Sequence, residues 1–522
     1  MDPLRLLLFA LLCLALLATQ SLAAPRKAAD LRLVPFPKQV RLEKAGFTLP
    51  ARLQLAVSDG PTARHAAEEL AAELGQTAGA LCEVKLLPTP ARGGQWFLSL
   101  SRGKASGELS DLPTQREGYE LEVCPDRVTV AALGEPGLAC GIGTLRQLVR
   151  ANLAGQSLPG VTIRDWPSLR YRVFQDDIAR GQSPKLHTLK HEADLGALLK
   201  LNGFTYYMEH QYAFTKHPDI GPKDGSLLPA ELKALNDYCR PLNVELIGCQ
   251  QSFGHLTGIL QHDAYKDLRE TLFTICPTVE GTYKLLDDLY SEEAPLLDSK
   301  LFNVCCDETF DLGTGPSRAL ADEIGVGGVY VRHIRRIHDI LRDEYGKRMM
   351  MWGDIILQHP EELDQIPQDT VMLSWGYDPR PSFEEAIKPF ADSGYEFFVC
   401  PGVSCWGRVL PDFDVAVTNI HNYVRDGTRL GALGMLNTVW SDDSENLYAY
   451  NWHSIAWGAE CAWNGSTTSI DDFNRRVGAV LYGERGDDFG QAVELLGKTF
   501  RLPGYSRSEE RRVGKEGRSR WS

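Results

Sequence analysis

The sequence predicts an α/β protein in which a (β/α)8 TIM barrel follows a small α+β domain. Eight short apolar runs alternate with mostly helical stretches after the segment RDWPSLRYR. The runs are apolar at nearly every position, as strands are when they are buried on both faces of a parallel sheet. Polar and aromatic residues follow the runs, at the end of a barrel where enzymes hold their sites. A doubly wound open sheet is the alternative.

Residues 1–23 have the layout of a secretory signal peptide. An unbroken apolar run of 13 residues, Leu6–Ala18, follows Arg5, and the small residues after it predict cleavage after Ala23. The run is shorter than the roughly 20 residues that span a bilayer. We therefore expect a secreted or periplasmic protein with no stable membrane insertion, and an uncleaved anchor is the alternative.

Residues 31–162 predict the small α+β domain. Strands are expected at LQLAV, QWFLSL, GYELEV and RVTVAA, and a helix at ARHAAEELAAEL. The glycines of GEPGLACGIGTLRQLV complete neither a dinucleotide-binding fingerprint nor a phosphate-binding loop. A helix that starts among these glycines is the favoured interpretation, so no cofactor is predicted.

Charge and cysteine content exclude further classes of function. Lys and Arg number 55 against 69 Asp and Glu, and the resulting net charge of −14 repels nucleic acid. Of the 12 cysteines, no pair stands at zinc-ligand spacing with histidines, so no metal is predicted. Disulfide connectivity and oligomeric state stay open.

Residues 166–480 predict the barrel. The eight expected strands are YRVFQDD, GFTYYM, VELIGC, LFNVCCDE, KRMMMWGD, TVMLSWGY, YEFFVC and GMLNTVW. Residues able to bind or react follow seven of the eight runs: Asp176, Asp177, Tyr207, Glu209, His255, Asp307, Glu308, Trp352, Asp354, Trp375, Trp440 and Asp442. Apolar rings beside hydrogen-bonding groups are typical of sugar sites, so a carbohydrate is the predicted ligand.

Asp307 and Glu308 are adjacent, and neighbouring residues of a strand face opposite sides. An ordinary glycosidase needs two opposed carboxyl groups about 5 to 5.5 Å apart for retention, or about 6.5 to 9.5 Å apart for inversion. An adjacent pair suits a different reaction, in which one acid protonates the leaving oxygen and the other holds a substrate acetamido group that attacks the anomeric carbon.

Several motifs taken together resemble the β-N-acetylhexosaminidases of glycoside hydrolase family twenty, across about residues 31 to 480. NVCCDE resembles that family's HxGGDE strand, QSFGH its PGH loop, and KLNGFTYYMEH its KLN strand. TLRQLV before RDWPSLRYR resembles the hinge into its barrel. The resemblance implies an exo-acting enzyme that hydrolyses terminal β-linked N-acetylglucosamine or N-acetylgalactosamine with retention, by a substrate-assisted mechanism and without a cofactor.

The resemblance also implies a role for each matching residue. Glu308 is the expected general acid/base, and Asp307 the residue that orients and stabilises the acetamido group. The expected substrate-binding residues are Arg172, Glu209, His255, Trp352, Trp375, Trp440 and Asp442. Arg172 would grip the outer hydroxyls of the sugar, and Trp406 is a further candidate wall.

The chain departs from the family at several positions. The usual His and two glycines before the acidic pair are Asn303, Cys305 and Cys306, and Tyr207 replaces a common His on the second strand. No YxD motif marks the seventh strand, for which Tyr377 is a candidate substitute. The alternative function is a catalytically silent carbohydrate-binding protein on the same barrel.

The last residues, 506–522, differ in composition from the rest of the chain. SRSEERRVGKEGRSRWS is strongly basic and has no apolar periodicity. Such a segment has no apolar face with which to pack, so a disordered or non-native tail is predicted.

Overall fold

The computed structural model describes residues 25, 27–86, 95–100, 115–442 and 446–501. The predicted signal peptide, 1–23, and the predicted tail, 506–522, lie outside these residues. The described chain divides into two compact units. One comprises the residues up to Trp166 with Ser469–Gln491, and the other Pro167–Thr468 with the residues from Ala492. Residues 469–480, expected in the barrel domain, are thus part of the first unit.

The first unit is built on a seven-stranded mixed sheet with the strand order β1-β9-β6-β7-β5-β3-β4. A two-stranded ribbon, β2 with β8, accompanies it. The strands are β1 Gln39–Leu42, β2 Phe47–Thr48, β3 Arg52–Val57, β4 Leu81–Leu86, β5 Gln95–Leu100, β6 Tyr119–Val123, β7 Val128–Ala132, β8 Ser157–Leu158 and β9 Val161–Asp165. The predicted α+β domain is confirmed, with the four expected strands at β3, β5, β6 and β7.

The two 18-residue helices of this unit are α1 (Pro61–Ala78) and α2 (Glu135–Asn152). α2 contains the glycine-rich segment, and it is a packed helix, as favoured from the sequence. A Cβ added at Gly137 would lie 2.4 Å from the carbonyl oxygen of Gly118, and one at Gly141 would lie 2.4 Å from the side chain of Val130. These glycines therefore permit close approach of the helix to the sheet.

The second unit is a closed barrel of eight parallel strands, β10 to β17, which pair in chain order and close between β10 and β17. This confirms the predicted barrel and excludes the open sheet. The strands are β10 Tyr171–Asp177, β11 Gly203–Tyr207, β12 Glu245–Cys249, β13 Leu301–Asn303, β14 Arg348–Trp352, β15 Val371–Trp375, β16 Phe397–Cys400 and β17 Gly434–Asn437.

Helices follow the barrel strands as crossovers, which parallel neighbours require. They are α3 Leu186–Leu198, α4 Pro229–Cys239, α5 Thr257–Leu260, α6 Glu280–Glu293, α7 Arg318–Tyr345, α8 Glu384–Asp392, α9 Phe413–Arg429 and α10 Trp452–Asn464. Two further helices, α11 Ile470–Tyr482 and α12 Asp488–Gly497, complete the described chain. None of the described helices is long and apolar enough to cross a bilayer.

The barrel interior is one continuous apolar cluster. Inward-facing residues such as Val173, Ile247 and Leu373 are at most 2% exposed, and the cluster extends to Trp352 and Trp440 at the strand ends. The aromatic residues predicted to bind a sugar therefore rest on a packed core, which holds their rings in position.

Candidate active site

A cavity of about 450 Å³ opens at the carboxyl ends of the barrel strands. Its lining residues are Arg180, Tyr207, His255, Asp307, Glu308, Trp352, Trp375, Gly376, Tyr377, Asp378, Arg380, Phe383, Ala386, Trp406, Trp440 and Asp442. Seven of the nine predicted site residues are among them, and so are Trp406 and Tyr377. Arg172 and Glu209 are not. The structure thus brings the predicted residues together, while their roles stay predictions.

The backbone after β13 turns both acidic residues into the cavity. The strand ends at Asn303, and Cys305, Cys306 and Glu308 have φ values of 62°, 67° and 54°. The left-handed conformation costs a residue with a Cβ about 1–2 kcal/mol. Strand alternation does not continue through such a bend, so Asp307 and Glu308 line the same cavity instead of facing opposite sides.

The imidazole of His255 contacts both acidic residues. Its Nε2 lies 3.4 Å from Oδ2 of Asp307 and 3.2 Å from Oε2 of Glu308. The side chain of Asp307 is 14% exposed, whereas that of Glu308 is 41% exposed. Glu308 is therefore the member of the pair that can reach a leaving group in the cavity, and Asp307 lies beneath it.

These contacts determine the charges of His255 and Asp307. Burial disfavours an imidazolium, but Asp307 and the other carboxylates outweigh it and raise the pKa of His255 to about 10. Burial likewise opposes the ionised form of Asp307, but the charge and hydrogen bond of His255 hold the pKa of that carboxyl below its usual value. A negative Asp307 thus lies beside a positive His255 at neutral pH.

Glu209 lies behind His255 and not in the cavity. The hydroxyl of Tyr207 donates to Oε1 of Glu209 at 2.8 Å, and the amide of Gln251 donates to that hydroxyl at 2.7 Å. Oε1 of Glu209 is also 4.0 Å from Nδ1 of His255. The predicted position of Glu209 is corrected: Tyr207 and His255 line the cavity, and Glu209, which contacts both, does not.

Arg172 requires a second correction. It is the second residue of β10, at the amino end of the strand, and its side chain is buried at 1% exposure. Its guanidinium donates to the carbonyl oxygens of Leu169 at 2.9 Å and Lys200 at 2.8 Å. The cavity lies at the opposite end of the strand, so Arg172 does not grip a sugar there.

Arg180 is the arginine that lines the cavity, and the sequence analysis missed it. Asp177 accepts hydrogen bonds from its Nε at 3.0 Å and its Nη2 at 2.8 Å, and Nη1 lies 2.7 Å from Asp442. Its guanidinium also lies 5.0 Å from the ring centre of Tyr207 and 5.4 Å from that of Trp440. The signal was present: Arg180 follows the first strand by three residues, at its carboxyl end.

Asp354 is a further buried carboxyl beside the acidic pair. Its Oδ2 accepts the backbone N–H of Glu308 at 3.0 Å. Burial and the negative charge of Asp307 raise its pKa to about 7. Asp354 therefore positions the backbone of Glu308.

Aromatic rings wall the cavity. The ring centres of Trp352 and Trp440 are 6.0 Å apart, and Trp375 stacks on Tyr377 at 5.2 Å. Trp406 contacts Tyr377 at 5.1 Å, and Nε1 of Trp440 donates to the hydroxyl of Tyr377 at 2.7 Å. Rings that contact and hydrogen-bond one another form a rigid apolar surface suited to a sugar ring and an acetamido methyl group.

The arrangement can supply acid–base chemistry. One partly exposed carboxyl lies beside a buried carboxylate, and an arginine lies among aromatic rings. In the part of the chain that the structure describes, no three His, Cys, Asp or Glu side chains converge closely enough to hold a metal ion.

The chain is similar to known proteins in sequence and, over a larger share of its length, in fold. Residues 30–166 match the model of glycosyl hydrolase family 20, domain 2. The chain is 26% identical over 355 residues to the β-hexosaminidase of Vibrio furnissii, a match that covers 60% of this chain and 56% of that protein. The chain thus spans a little over half the length of that relative.

Solved structures share the fold over most of the chain. The chitobiase of Flavobacterium johnsoniae superimposes with a TM-score of 0.72 at 18% identity, over 91% of this chain and 75% of that one. The exo-β-N-acetylglucosaminidase of Vibrio harveyi, solved with N-acetylglucosamine, gives a TM-score of 0.69 at 20% identity, over 90% and 79% of the two chains.

Proposed function

Because the chain is a distant member of the glycosyl hydrolase family 20 β-hexosaminidases, we propose that it is an exo-acting β-N-acetylhexosaminidase. It would remove terminal β-linked N-acetylglucosamine or N-acetylgalactosamine from an oligosaccharide or glycoconjugate, with retention of configuration. The nucleophile would be the acetamido carbonyl of the substrate itself.

The observation that carries this proposal is that the carboxyl groups of Asp307 and Glu308 both contact the same imidazole nitrogen, Nε2 of His255. Both carboxyl groups lie within 3.4 Å of Nε2 of His255, so they approach a bound sugar from one side. The other two carboxylates of the cavity already have arginine partners, Asp442 with Arg180 at 2.7 Å and Asp378 with Arg380 at 3.3 Å. Because both of these carboxylates are engaged by arginines, the described residues that line the cavity offer no carboxylate opposite Glu308 that could act as an enzyme nucleophile.

The reaction follows from these positions. Protonated Glu308 donates its proton to the glycosidic oxygen as the acetamido carbonyl oxygen of the substrate attacks the anomeric carbon. The resulting oxazolinium carries positive charge, which the ionised and largely buried Asp307 stabilises. Glu308, now a carboxylate, takes a proton from the water that opens the ring. Two successive inversions at the anomeric carbon give retention.

The remaining cavity residues would bind and orient the sugar. Trp352 and Trp440 would pack on the acetamido group and the ring, and Trp375 would add to the same wall. Arg180 and Asp442, which are held together as an ion pair, would contact the outer hydroxyls. The structure of the Vibrio harveyi enzyme with N-acetylglucosamine supports this class of ligand. The signal-peptide pattern supports our further proposal that the protein is secreted or periplasmic.

The test is a panel of aryl glycosides with the full chain. We expect turnover of β-N-acetylglucosaminide or β-N-acetylgalactosaminide, almost none of the β-glucoside, and a β-configured first product by NMR. A thiazoline-fused sugar that mimics the oxazolinium should bind more tightly than the substrate, since analogues of the transition state bind about 10²- to 10⁸-fold tighter.

Three results would contradict the proposal. Comparable hydrolysis of the β-glucoside would remove the need for the acetamido group. A trapped glycosyl ester on an enzyme carboxylate, or an α-configured first product, would contradict the mechanism. Tight binding of the thiazoline without turnover of any glycoside would favour the catalytically silent binding protein.

A further inference from the structure

Gln251 is a buried polar residue beside the candidate active site to which the proposed reaction assigns no role. It is the second residue after β12, is 1% exposed and is not among the residues that line the cavity. Its Nε2 donates to the hydroxyl of Tyr207 at 2.7 Å and to Oδ1 of Asp307 at 3.4 Å. One side-chain amide thus links the end of β11 to the acidic pair after β13.

The neighbours of this amide determine which of its two ends they face. Tyr207 donates its hydroxyl proton to Oε1 of Glu209 at 2.8 Å, so the oxygen of Tyr207 accepts from Gln251. The ionised carboxylate of Asp307 is also an acceptor. An amide carbonyl oxygen would be repelled by both groups, whereas an amide NH₂ group has one N–H for each. The amide nitrogen of Gln251 therefore faces Tyr207 and Asp307.

The two carboxylate oxygens of Asp307 contact different donors. Oδ2 lies 3.4 Å from Nε2 of His255, and Oδ1 accepts from Gln251. The terminal torsion of an aspartate has broad energy wells, so a contact to one oxygen leaves the carboxylate free to rotate. A second donor on the other oxygen fixes the plane of the group. The direction in which Asp307 presents its charge therefore depends on Gln251 as well as on His255.

The charge of Asp307 also depends on these donors. Burial raises the pKa of this carboxyl, but the charge and hydrogen bond of His255, with a smaller contribution from Gln251, hold it below its usual value. Other titratable side chains whose charges interact with Asp307 are Tyr207, Cys305, Cys306, Tyr330, Asp354 and Tyr377. None of these six can carry a positive charge. The neutral amide of Gln251 thus favours the ionised carboxylate without adding a charge of its own.

We propose that Gln251 is a positioning residue of the active site, which orients the carboxylate of Asp307 for the positive charge of the oxazolinium. The proposal rests on the hydrolysis proposed above, in which Asp307 stabilises that charge. Gln251 acts through Asp307 and does not contact the sugar. Removing its N–H donors should therefore weaken the binding of a positively charged ligand more than that of a neutral one.

The first test compares two ligands by calorimetry on the full chain. The thiazoline-fused sugar mimics the charged intermediate, and N-acetylglucosamine is the neutral ligand. Gln251→Met keeps the length of the side chain and removes both N–H donors. We expect the Kd of the thiazoline to rise by about 10- to 100-fold, as expected for the loss of a hydrogen bond to a charged group. The Kd of N-acetylglucosamine should change much less, whereas a general loosening of the site would weaken both ligands equally.

The control is Gln147→Met. Gln147 of α2 is also 1% exposed, and its amide exchanges two hydrogen bonds with the backbone of Val34, with lengths of 2.6 Å and 2.8 Å. The control therefore loses a buried amide of the same kind far along the chain from the acidic pair. We expect it to leave the ratio of the two Kd values unchanged.

Gln251→Glu provides a second, reversible variant of the same size. A protonated Glu can donate to Asp307 as the amide does, whereas an ionised Glu repels that carboxylate. The Kd of the thiazoline, relative to that of the unmodified protein, should be close to one at about pH 5 and rise at least about 10-fold by about pH 8. A ratio that does not change with pH would contradict the proposal, also where Gln251→Met does not fold.

The pKa of Asp307 gives a measurement that does not depend on hydrolysis or on ligands. It is followed by ¹³C NMR of protein labelled at the aspartate carboxyl carbons, with the spectrum of Asp307→Asn as the assignment. We expect Gln251→Met to raise this pKa by about 1–2 units and Gln147→Met to leave it unchanged. An unchanged pKa in Gln251→Met, or equal weakening of both ligands, overturns the role of Gln251. Absence of turnover by the unmodified protein, with these shifts present, would contradict the proposed hydrolysis alone.

Discussion

Two strand ends of the barrel carry a pair of adjacent acidic residues, and the side chains of the two pairs point in different directions. Asp176 and Asp177 end β10 within regular strand pairing, opposite Tyr206 and Tyr207 of β11. Asp177 is therefore buried inside the barrel, where it accepts hydrogen bonds from Arg180 of the candidate active-site cavity, while Asp176 points to the outside of the barrel, near Glu192 of α3.

Asp307 and Glu308 follow β13 after its pairing has ended. The left-handed residues Cys305, Cys306 and Glu308 break the alternation, so that both carboxyl groups line one cavity. The difference teaches that the backbone conformation, and not the dipeptide, decides whether adjacent acids act together. The four experiments below test this comparison.

The largest effect is expected for Glu308→Gln. The amide cannot donate the proton that the leaving oxygen needs, and general acid catalysis contributes about 10²- to 10⁴-fold. We expect kcat on a natural β-linked disaccharide to fall by at least this factor, with little change in circular dichroism. Turnover within a few-fold of that of the unmodified protein would show that the pair after β13 does not act as proposed.

Asp176→Asn should change the pH dependence of stability and not the chemistry. The groups whose charges act on Asp176 include its chain neighbour Asp177 and the side chains of Glu192 and Tyr448, and none of these supplies positive charge. The pKa of Asp176 is about 8 when folded, against an ordinary value near 3.8. The proton on this carboxyl therefore contributes stability below about pH 4, and that contribution is lost as the pH rises towards 8.

Urea unfolding at several pH values measures this loss. We expect the free energy of unfolding of the unmodified protein to fall relative to that of Asp176→Asn by a few kcal/mol, roughly, between pH 4 and 8. Parallel pH curves for the two proteins would place Asp176 in an environment no different from solvent.

Asp177→Asn should affect substrate binding more than the chemical step. The variant weakens two hydrogen bonds to Arg180, and such a charge-assisted contact is worth about 1.5–3 kcal/mol. We expect KM for the aryl N-acetylglucosaminide to rise by about 10- to 100-fold with a smaller fall in kcat, in contrast to Glu308→Gln. A loss confined to kcat would mean that Arg180 does not contact the bound sugar.

The smallest effect is expected for Cys306→Val, a substitution that tests the left-handed bend after β13. A β-branched residue tolerates positive φ poorly, so Cys306→Val should reduce the free energy of unfolding by about 1–3 kcal/mol. The control is Cys400→Val, an equally buried cysteine within β16, where valine suits the strand. Equal effects of the two substitutions in urea unfolding would argue against the left-handed bend after β13.

The sequence alone determined the order and type of the barrel elements. Eight apolar runs separated by helices have few other ways to bury both faces, and parallel strands in a barrel bring their carboxyl ends to one side. Residues at those ends could therefore be assigned to one site, which is why His255, Trp352, Trp375 and Trp440 were predicted together and line one cavity.

Tertiary structure decided which way each of the other side chains points. Arg172 lies at the amino end of β10 and donates to the carbonyl oxygens of Leu169 and Lys200, whereas Arg180 follows the carboxyl end of that strand and lines the cavity. Glu209 lies behind Tyr207 and His255 because the chain turns at positive φ there. Asp176 of β10 and Glu192 of α3 are brought close enough for the charge of the first to raise the pKa of the second, although 15 residues separate them in the chain. Such directions depend on backbone dihedrals and on partners that only the folded chain brings together, and neither follows a period that can be read along the sequence.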